Sequence, residues 1–173
     1  QDTLEKLITE TKDGLTILST IIDSPHGYGR VKKDKEGYAQ AIVEEKDASD
    51  SEKQIKEVFT GILCCKKELL EEAINEVGND NAAGEYYLTD IVSIISLKGY
   101  KIKTCVVSND EVKGANTKTE LSELEEIYRK MNAEDLLQKG VTLSDKSRVD
   151  VRGTVSVGKD CHIDVNVIFD GNI

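Results

Sequence analysis

The chain has 173 residues, 38% hydrophobic and 32% charged, enough apolar material for one packed domain with part of a second and too much for wholesale disorder. Its 23 Lys and Arg stand against 33 Asp and Glu, a formal charge of −10 with a pI near 4.8. That balance excludes a broad nucleic-acid-binding face, which needs surplus cations, but leaves small anionic ligands possible at a local positive site.

No apolar run approaches the roughly 20 residues of a membrane span, and no basic-then-apolar leader opens the chain, so a soluble protein is expected. The first residue is Gln1 and the only Met is Met131. A primary translation product begins with Met, so a processed or partial chain is expected. Cys64, Cys65, Cys105 and Cys161 form no C-x-x-C pair and have no His at ligand spacing, which favours free thiols in a cytoplasmic protein over a zinc site. Adjacent Cys64 and Cys65 on a strand would face opposite sides and not pair with each other. His26 and His162 are isolated in sequence and receive no chemical role.

Asp2 with Glu5 reads as a capping box, followed by an apolar stripe of Leu4, Leu7 and Ile8 and a stop at Gly14. Residues 15–22 read as a strand. Residues 23–30 hold the only Pro and two Gly around Tyr28. Two strands, 31–33 and 38–44, are joined by a hairpin over 34–37. Residues 49–58 read as a helix capped by Ser49 or Asp50, residues 60–65 as a short buried strand, and residues 66–77 as a helix ended by Gly78. A turn-rich loop at 79–84 leads into 85–90, a helix continues through Leu97 to Gly99, and residues 100–107 read as a strand. Strands alternating with helices favour an α/β sheet, and the hairpin makes that sheet mixed.

Residues 119–139 form one long amphipathic helix, with Leu121, Leu124, Ile127, Met131 and Leu136 as its expected buried stripe and Gly140 as its stop. Beyond it the period changes. Val149, Val155, Cys161, Val167 and Ile173 recur every six residues, as do Val151, Val157, Ile163 and Phe169. Two interleaved six-residue series point to a hexapeptide parallel β-helix, with an antiparallel meander as the alternative. One coil of such a solenoid needs neighbours to stack on, so the chain is expected to be cut short at this end too.

No Walker-type loop is present. The Gly27, Tyr28, Gly29 run reads alone as a tight turn, Glu44 as an edge-strand acid, and Asn116 as a cap for the long helix. Their order gives more. Gly-Tyr-Gly-Arg at 27–30, Ala-Ile-Val-Glu-Glu-Lys-Asp-Ala at 41–48 and Thr-Gly-Ile at 60–62 resemble the bacterial sugar-nucleotide pyrophosphorylases. The runs at 79–90, 111–116, 121–128, 151–154 and 163–168 narrow the resemblance. They point to the family of bifunctional N-acetylglucosamine-1-phosphate uridylyltransferases and glucosamine-1-phosphate N-acetyltransferases.

The resemblance implies an α/β fold in three parts. Residues 1–117 would be the C-terminal half of a Rossmann-like nucleotidyltransferase domain with a mixed sheet. Residues 118–146 would be a long linker helix and its connection, and residues 147–173 the first coil of a left-handed hexapeptide β-helix. It implies substrate contacts at Gly29, Glu44 and Asn116, with Asn116 also a magnesium ligand and Tyr87 and Thr89 lining the same pocket. UTP, N-acetylglucosamine 1-phosphate and UDP-N-acetylglucosamine are the implied partners, Mg²⁺ the cofactor, and acetyl-CoA the co-substrate of a missing C-terminal region. The intact protein would be a cytoplasmic homotrimer serving cell-wall and lipopolysaccharide precursors.

The isolated chain carries no catalytic residue by this comparison and is expected to be inactive. The alternative is a non-catalytic module for sugar-nucleotide binding or trimer assembly. One departure stands out: the family's Asn before Thr-Gly-Ile is Phe59, which can pack but neither donate nor accept a hydrogen bond.

Overall fold

A computed structural model describes residues 2–12, 14–115 and 117–173. The chain divides into two compact units, Gln1–Val112 and Lys113–Ile173. In chain order the first unit comprises helix α1 (Asp2–Glu10), strands β1 (Leu15–Ile21), β2 (Arg30–Lys33), β3 (Ala39–Val43) and β4 (Glu57–Cys65), helices α2 (Lys67–Ile74) and α3 (Asp90–Leu97), strand β5 (Lys103–Val107) and the single turn α4 (Asn109–Val112). The strands form one mixed sheet ordered β3-β2-β4-β1-β5, with β1 parallel to β5 and antiparallel to β4.

Six of the seven β1 residues are buried because both sheet faces are covered. Leu15 and Ile17 point into a cluster with Val31, Ile42, Leu69 and Ile91, which brings α2 and α3 onto that face. Leu18 joins Leu7 and Cys105 in a second cluster. Cys65 packs against the first cluster and Cys64 against the second, as alternation along a strand requires. All four cysteines are free.

The hairpin forms as the sequence predicts, with the Asp34 carboxylate accepting from the Glu36 and Tyr38 N–H groups. The helix expected at 49–58 does not. Its cap is real: the Ser49 N–H and hydroxyl donate to the Glu52 carboxylate, and the Glu52 N–H donates back to Ser49 Oγ. Only one 3₁₀ turn, Glu52–Gln54, follows, and Ile55 is already extended at φ −66°, ψ 121°. A cap lowers the cost of starting a helix but does not sustain one of this length without an apolar face to pack. The ladder to β1 begins at Glu57, so the strand expected at 60–65 starts three residues earlier. Opposite Leu18 its register slips at Thr60, Gly61 and Ile62, a bulge at which the Thr60 hydroxyl donates to the Leu18 carbonyl. In α1 only Leu7 of the expected stripe is buried; Leu4 and Ile8 are exposed.

The second unit opens with α5 (Lys118–Gln138), closed at its start by a capping box between Thr117 and Glu120. The Asn116 cap of the sequence reading lies outside the described residues. Of the expected stripe only Leu136 is buried, joined by Ala133. Leu124 and Ile127 are half-buried, and Leu121 and Met131 are exposed. Within this unit the burial is confined to the last turns of the helix.

Strands β6 (Thr142–Leu143), β7 (Val149–Thr154), β8 (His162–Ile163) and β9 (Val167–Asn172) follow, pairing β6 with β8 and β7 with β9, both parallel. Val149 faces Val167 and Thr154 faces Asn172, each eighteen residues on, or three six-residue periods. Parallel pairing in both excludes the meander. Leu136, Val141, Val149, Val151 and Ile163 make the core, with Val155, Val157, Val167 and Phe169 against it. Cys161 and Ile173, predicted to belong to the inward series, are exposed. Thr142 faces His162, twenty residues on, and the 3₁₀ turn Lys146–Arg148 lies between β6 and β7, where the two extra residues are taken up. Gly153 sits at φ +143°, and a Cβ there would stand 2.2 Å from the Gly171 carbonyl oxygen, so no other residue fits without moving the ladder.

Candidate functional site

The candidate site of the first unit is a cleft of about 240 Å³ beyond the end of β3, between the 79–90 loop and the start of α3. Glu44, Asp47, Asp80, Tyr87, Asp90 and Ser93 are among its lining residues. A larger recess of about 360 Å³ in the same unit, at the first residues of β1 and β5, is lined by none of the described candidates.

Glu44 leaves the last residue of β3 and accepts a hydrogen bond at Oε1 from the Thr89 hydroxyl, at 2.9 Å. Gly29 lies against the same carboxylate. A Cβ at Gly29 would be 3.4 Å from both Glu44 oxygens and 2.7 Å from Ile42 Cγ2, so the close approach is possible only without a side chain. The Gly29 carbonyl accepts from the Phe59 N–H at 2.9 Å, while the Phe59 ring packs against the sheet core. Position 59 thus reaches the site through its backbone.

Three of the sequence candidates, Gly29, Glu44 and Thr89, therefore meet, and Tyr87 lines the same cleft. Asn116 lies outside the described residues. Asp47 and Asp90, from the runs at 41–48 and 79–90, also line the cleft, and nothing in their local sequence marks them. The Asp47 carboxylate accepts the Ala82 N–H at 2.8 Å, holding the 79–84 loop over the cleft. Asn81 folds that loop on itself by accepting the Ala83 and Glu85 N–H groups.

Burial, then the Glu44 and Asp47 charges, raise the Asp90 carboxyl above its ordinary range. Burial followed by Asp47, Glu85, Glu44 and Asp90 raises the Tyr87 phenol. The cleft is a concentration of acceptors in a negative field. It suits a ligand presenting O–H or N–H donors, and it turns any phosphate on that ligand away from Glu44, Asp47 and Asp90. Among the described residues no three His, Cys, Asp or Glu form a group able to hold a metal ion.

In the second unit the parallel pairing of β6 with β8 brings Ser144 Oγ within 2.9 Å of His162 Nε2, a neighbour that sequence proximity does not reveal. The pair is exposed. The Asp164 carboxyl beside it, lowered by the Val165 N–H and then by the Ser144 hydroxyl, engages the serine rather than orienting the imidazole. This is not the order of a nucleophile, base and orienting acid. No described helix is long and apolar enough to cross a membrane.

Fold and site together define a class: a mixed α/β sheet with an acceptor-rich cleft, in a chain that also carries two parallel strand pairs beyond its long helix. No family model matches the chain. Over 99% of its length it is 45% identical to bifunctional protein GlmU of Francisella philomiragia and 42% identical to that of Francisella tularensis subsp. novicida. The chain is thus related over essentially its whole length to bifunctional protein GlmU, and it spans 38% of the length of these curated relatives. A glucose-1-phosphate thymidylyltransferase structure from Bacillus anthracis, described there as putative, overlaps 62% of this chain and 40% of its own at 22% identity, with a TM-score of 0.45.

Proposed function

We propose that this chain is part of a sugar-nucleotide transferase. Its Gly29–Glu44–Thr89 cleft receives the sugar of N-acetylglucosamine 1-phosphate, for reaction with UTP to UDP-N-acetylglucosamine and pyrophosphate. The observation that carries the reading is the convergence of Gly29, Glu44 and Thr89, from three separate stretches of sequence, on one carboxylate. Relatedness to bifunctional protein GlmU over 99% of this chain supports it.

The chemistry follows from the acceptors. Glu44 takes hydrogen bonds from sugar hydroxyls or the acetamido N–H, and Thr89 fixes its rotamer. Gly29 lets backbone approach the ring where a Cβ would intrude. Repulsion by Asp47 and Asp90 points the 1-phosphate outward. There its oxygen attacks the α-phosphorus of UTP as the bond to pyrophosphate breaks, a reaction governed by positioning and electrostatics. Magnesium, when bound, would neutralise the phosphates. Asn116 offers it a neutral oxygen of suitable hardness, but the described carboxylates do not assemble a cage for it, and no step here passes through the ion. The coil from Val149 onward is read as the start of a hexapeptide β-helix that trimerises and serves an acetyl-CoA-dependent reaction in the whole protein, which is cytoplasmic on this reading. Residues 1–117, 118–146 and 147–173 remain the proposed domain, linker and coil.

Titration of the ¹⁵N-labelled chain with N-acetylglucosamine 1-phosphate tests the reading. Saturable amide shifts are expected at Gly29, Tyr87 and Thr89, and Glu44→Ala should abolish them. No saturable shift, or shifts confined to other parts of the chain, would overturn it.

A further inference from the structure

Arg30 is only 2% exposed, unusual for a guanidinium, and it follows directly on Gly29. Its Nη2 donates to Glu45 Oε2 at 2.5 Å and its Nη1 donates back to the Tyr28 carbonyl. Its Nε–H is buried without a partner among the described residues, and among these Glu45 is the acid in an ion pair with the guanidinium. The same Glu45 Oε2 accepts the Gly27 N–H at 3.2 Å, and Oε1 lies 3.4 Å from His26 Nδ1. The Tyr28 N–H closes a turn onto the Pro25 carbonyl, with Gly27 at φ +84° in its third position, where a type II turn requires such a residue. One carboxylate therefore holds the 26–30 loop at both ends, and Glu45 is the immediate neighbour of Glu44.

We infer that Glu45 and Arg30 are positioning residues for the sugar cleft, fixing Gly29 and Glu44 relative to each other without touching the ligand. The inference rests on the reading of the cleft given above. Glu45 joins the turn that presents Gly29 to the strand end that presents Glu44. A charge-assisted bond to a buried guanidinium is strong and directional, and a displacement of an ångström in such a constellation is costly to function. A surface ion pair would do neither.

The test compares three substitutions in the full chain by affinity for N-acetylglucosamine 1-phosphate, by ligand-free amide shifts and by thermal midpoint. Glu45→Ala is expected to weaken binding about tenfold and to move the Gly29 and Thr89 amide resonances before any ligand is added. Glu45→Gln keeps the reach and one carbonyl oxygen able to accept both the Arg30 and Gly27 N–H groups. Because it leaves the buried guanidinium without its counter-charge, it should restore affinity only in part, to a level above Glu45→Ala. Glu45→Asp keeps the charge but loses the reach, and should bind less well than Glu45→Gln.

The order Gln above Asp separates positioning from charge, and it decides the matter even if Glu45→Ala does not fold. The inference is overturned if Glu45→Asp binds as well as or better than Glu45→Gln, or if a folded Glu45→Ala binds like the unmodified chain. It is also overturned if affinity merely follows the thermal midpoint across the three. Failure of the unmodified chain to bind the sugar phosphate overturns the reading of the cleft and this inference with it.

Discussion

Ile17 and Val149 are both buried, yet the neighbours that bury them are of different kinds. Ile17 is enclosed by residues from strands and helices widely separated in the chain, Val31, Ile42, Leu69 and Ile91 among them. Val149 shares its core with residues near it in sequence, Leu136, Val141 and Val151, and with its ladder partner Val167. In the first unit a core position is defined by which elements happen to meet there, so irregularities such as the bulge at Thr60, Gly61 and Ile62 are tolerated. In the second a core position is defined by its phase, and an irregularity must be absorbed outside the repeat. A site built from three stretches of chain belongs naturally to the first kind of unit.

The comparison breaks most sharply at Gly153. Replacing it with Val places side-chain carbon where the Gly171 carbonyl already stands. The expected cost is about 4 kcal/mol or more, read as fast amide exchange across Val149–Thr154 with the first unit's exchange unchanged.

Cavity substitutions come next. Ile17→Ala should cost about 3 kcal/mol and Val149→Ala about 2 kcal/mol in urea denaturation. A mixed, many-element core should pass its loss to α2 and α3, whereas the coil should lose protection only at β7 and β9.

Thr117→Ala, which removes the capping box of α5, should cost about 1 kcal/mol and fray the first helical turn without disturbing Leu136.

The smallest effects are electrostatic and sharpen the contrast by sign. The Ser49 hydroxyl, then Lys32, hold Glu52 down to about 2 from the usual 4.5. Its contribution to stability is therefore complete above pH 4.5 and lost as the pH falls through about 2. Asp90 runs the other way. Its carboxyl is raised from 3.8, so its contribution is complete below 3.8 and lost as the pH rises through its folded value. In the coil, Asp145 and Asp164 are both lowered by hydrogen bonds. Carboxyl ¹³C titration should find Asp90 above the ordinary Asp range, with Glu52, Asp145 and Asp164 below theirs.

What the sequence disclosed follows the range over which each feature is determined. The 34–37 hairpin is specified by its own Asp34 and Gly37, and it is where the sequence puts it. The capping signal at Ser49 and Glu52 is equally local and equally real, but whether a helix follows depends on pairing with β1, some thirty residues earlier, and the strand prevails. Gly29, Glu44 and Thr89 were legible as members of motifs, and their meeting was not. Glu45 escaped notice because its importance lies in Arg30, buried fifteen residues away. Ser144 and His162 escaped because only the parallel pairing of β6 with β8 makes them neighbours.

The eighteen-residue offset also bears on how a gene for such a chain can change length. Inserting or deleting one codon within β9 would turn the inward side chains beyond it outward, since the faces of a strand alternate. Gains and losses of sequence are thus confined to the corners, where the Lys146–Arg148 turn already accommodates two surplus residues. Related chains should differ in length there while keeping the strands in step.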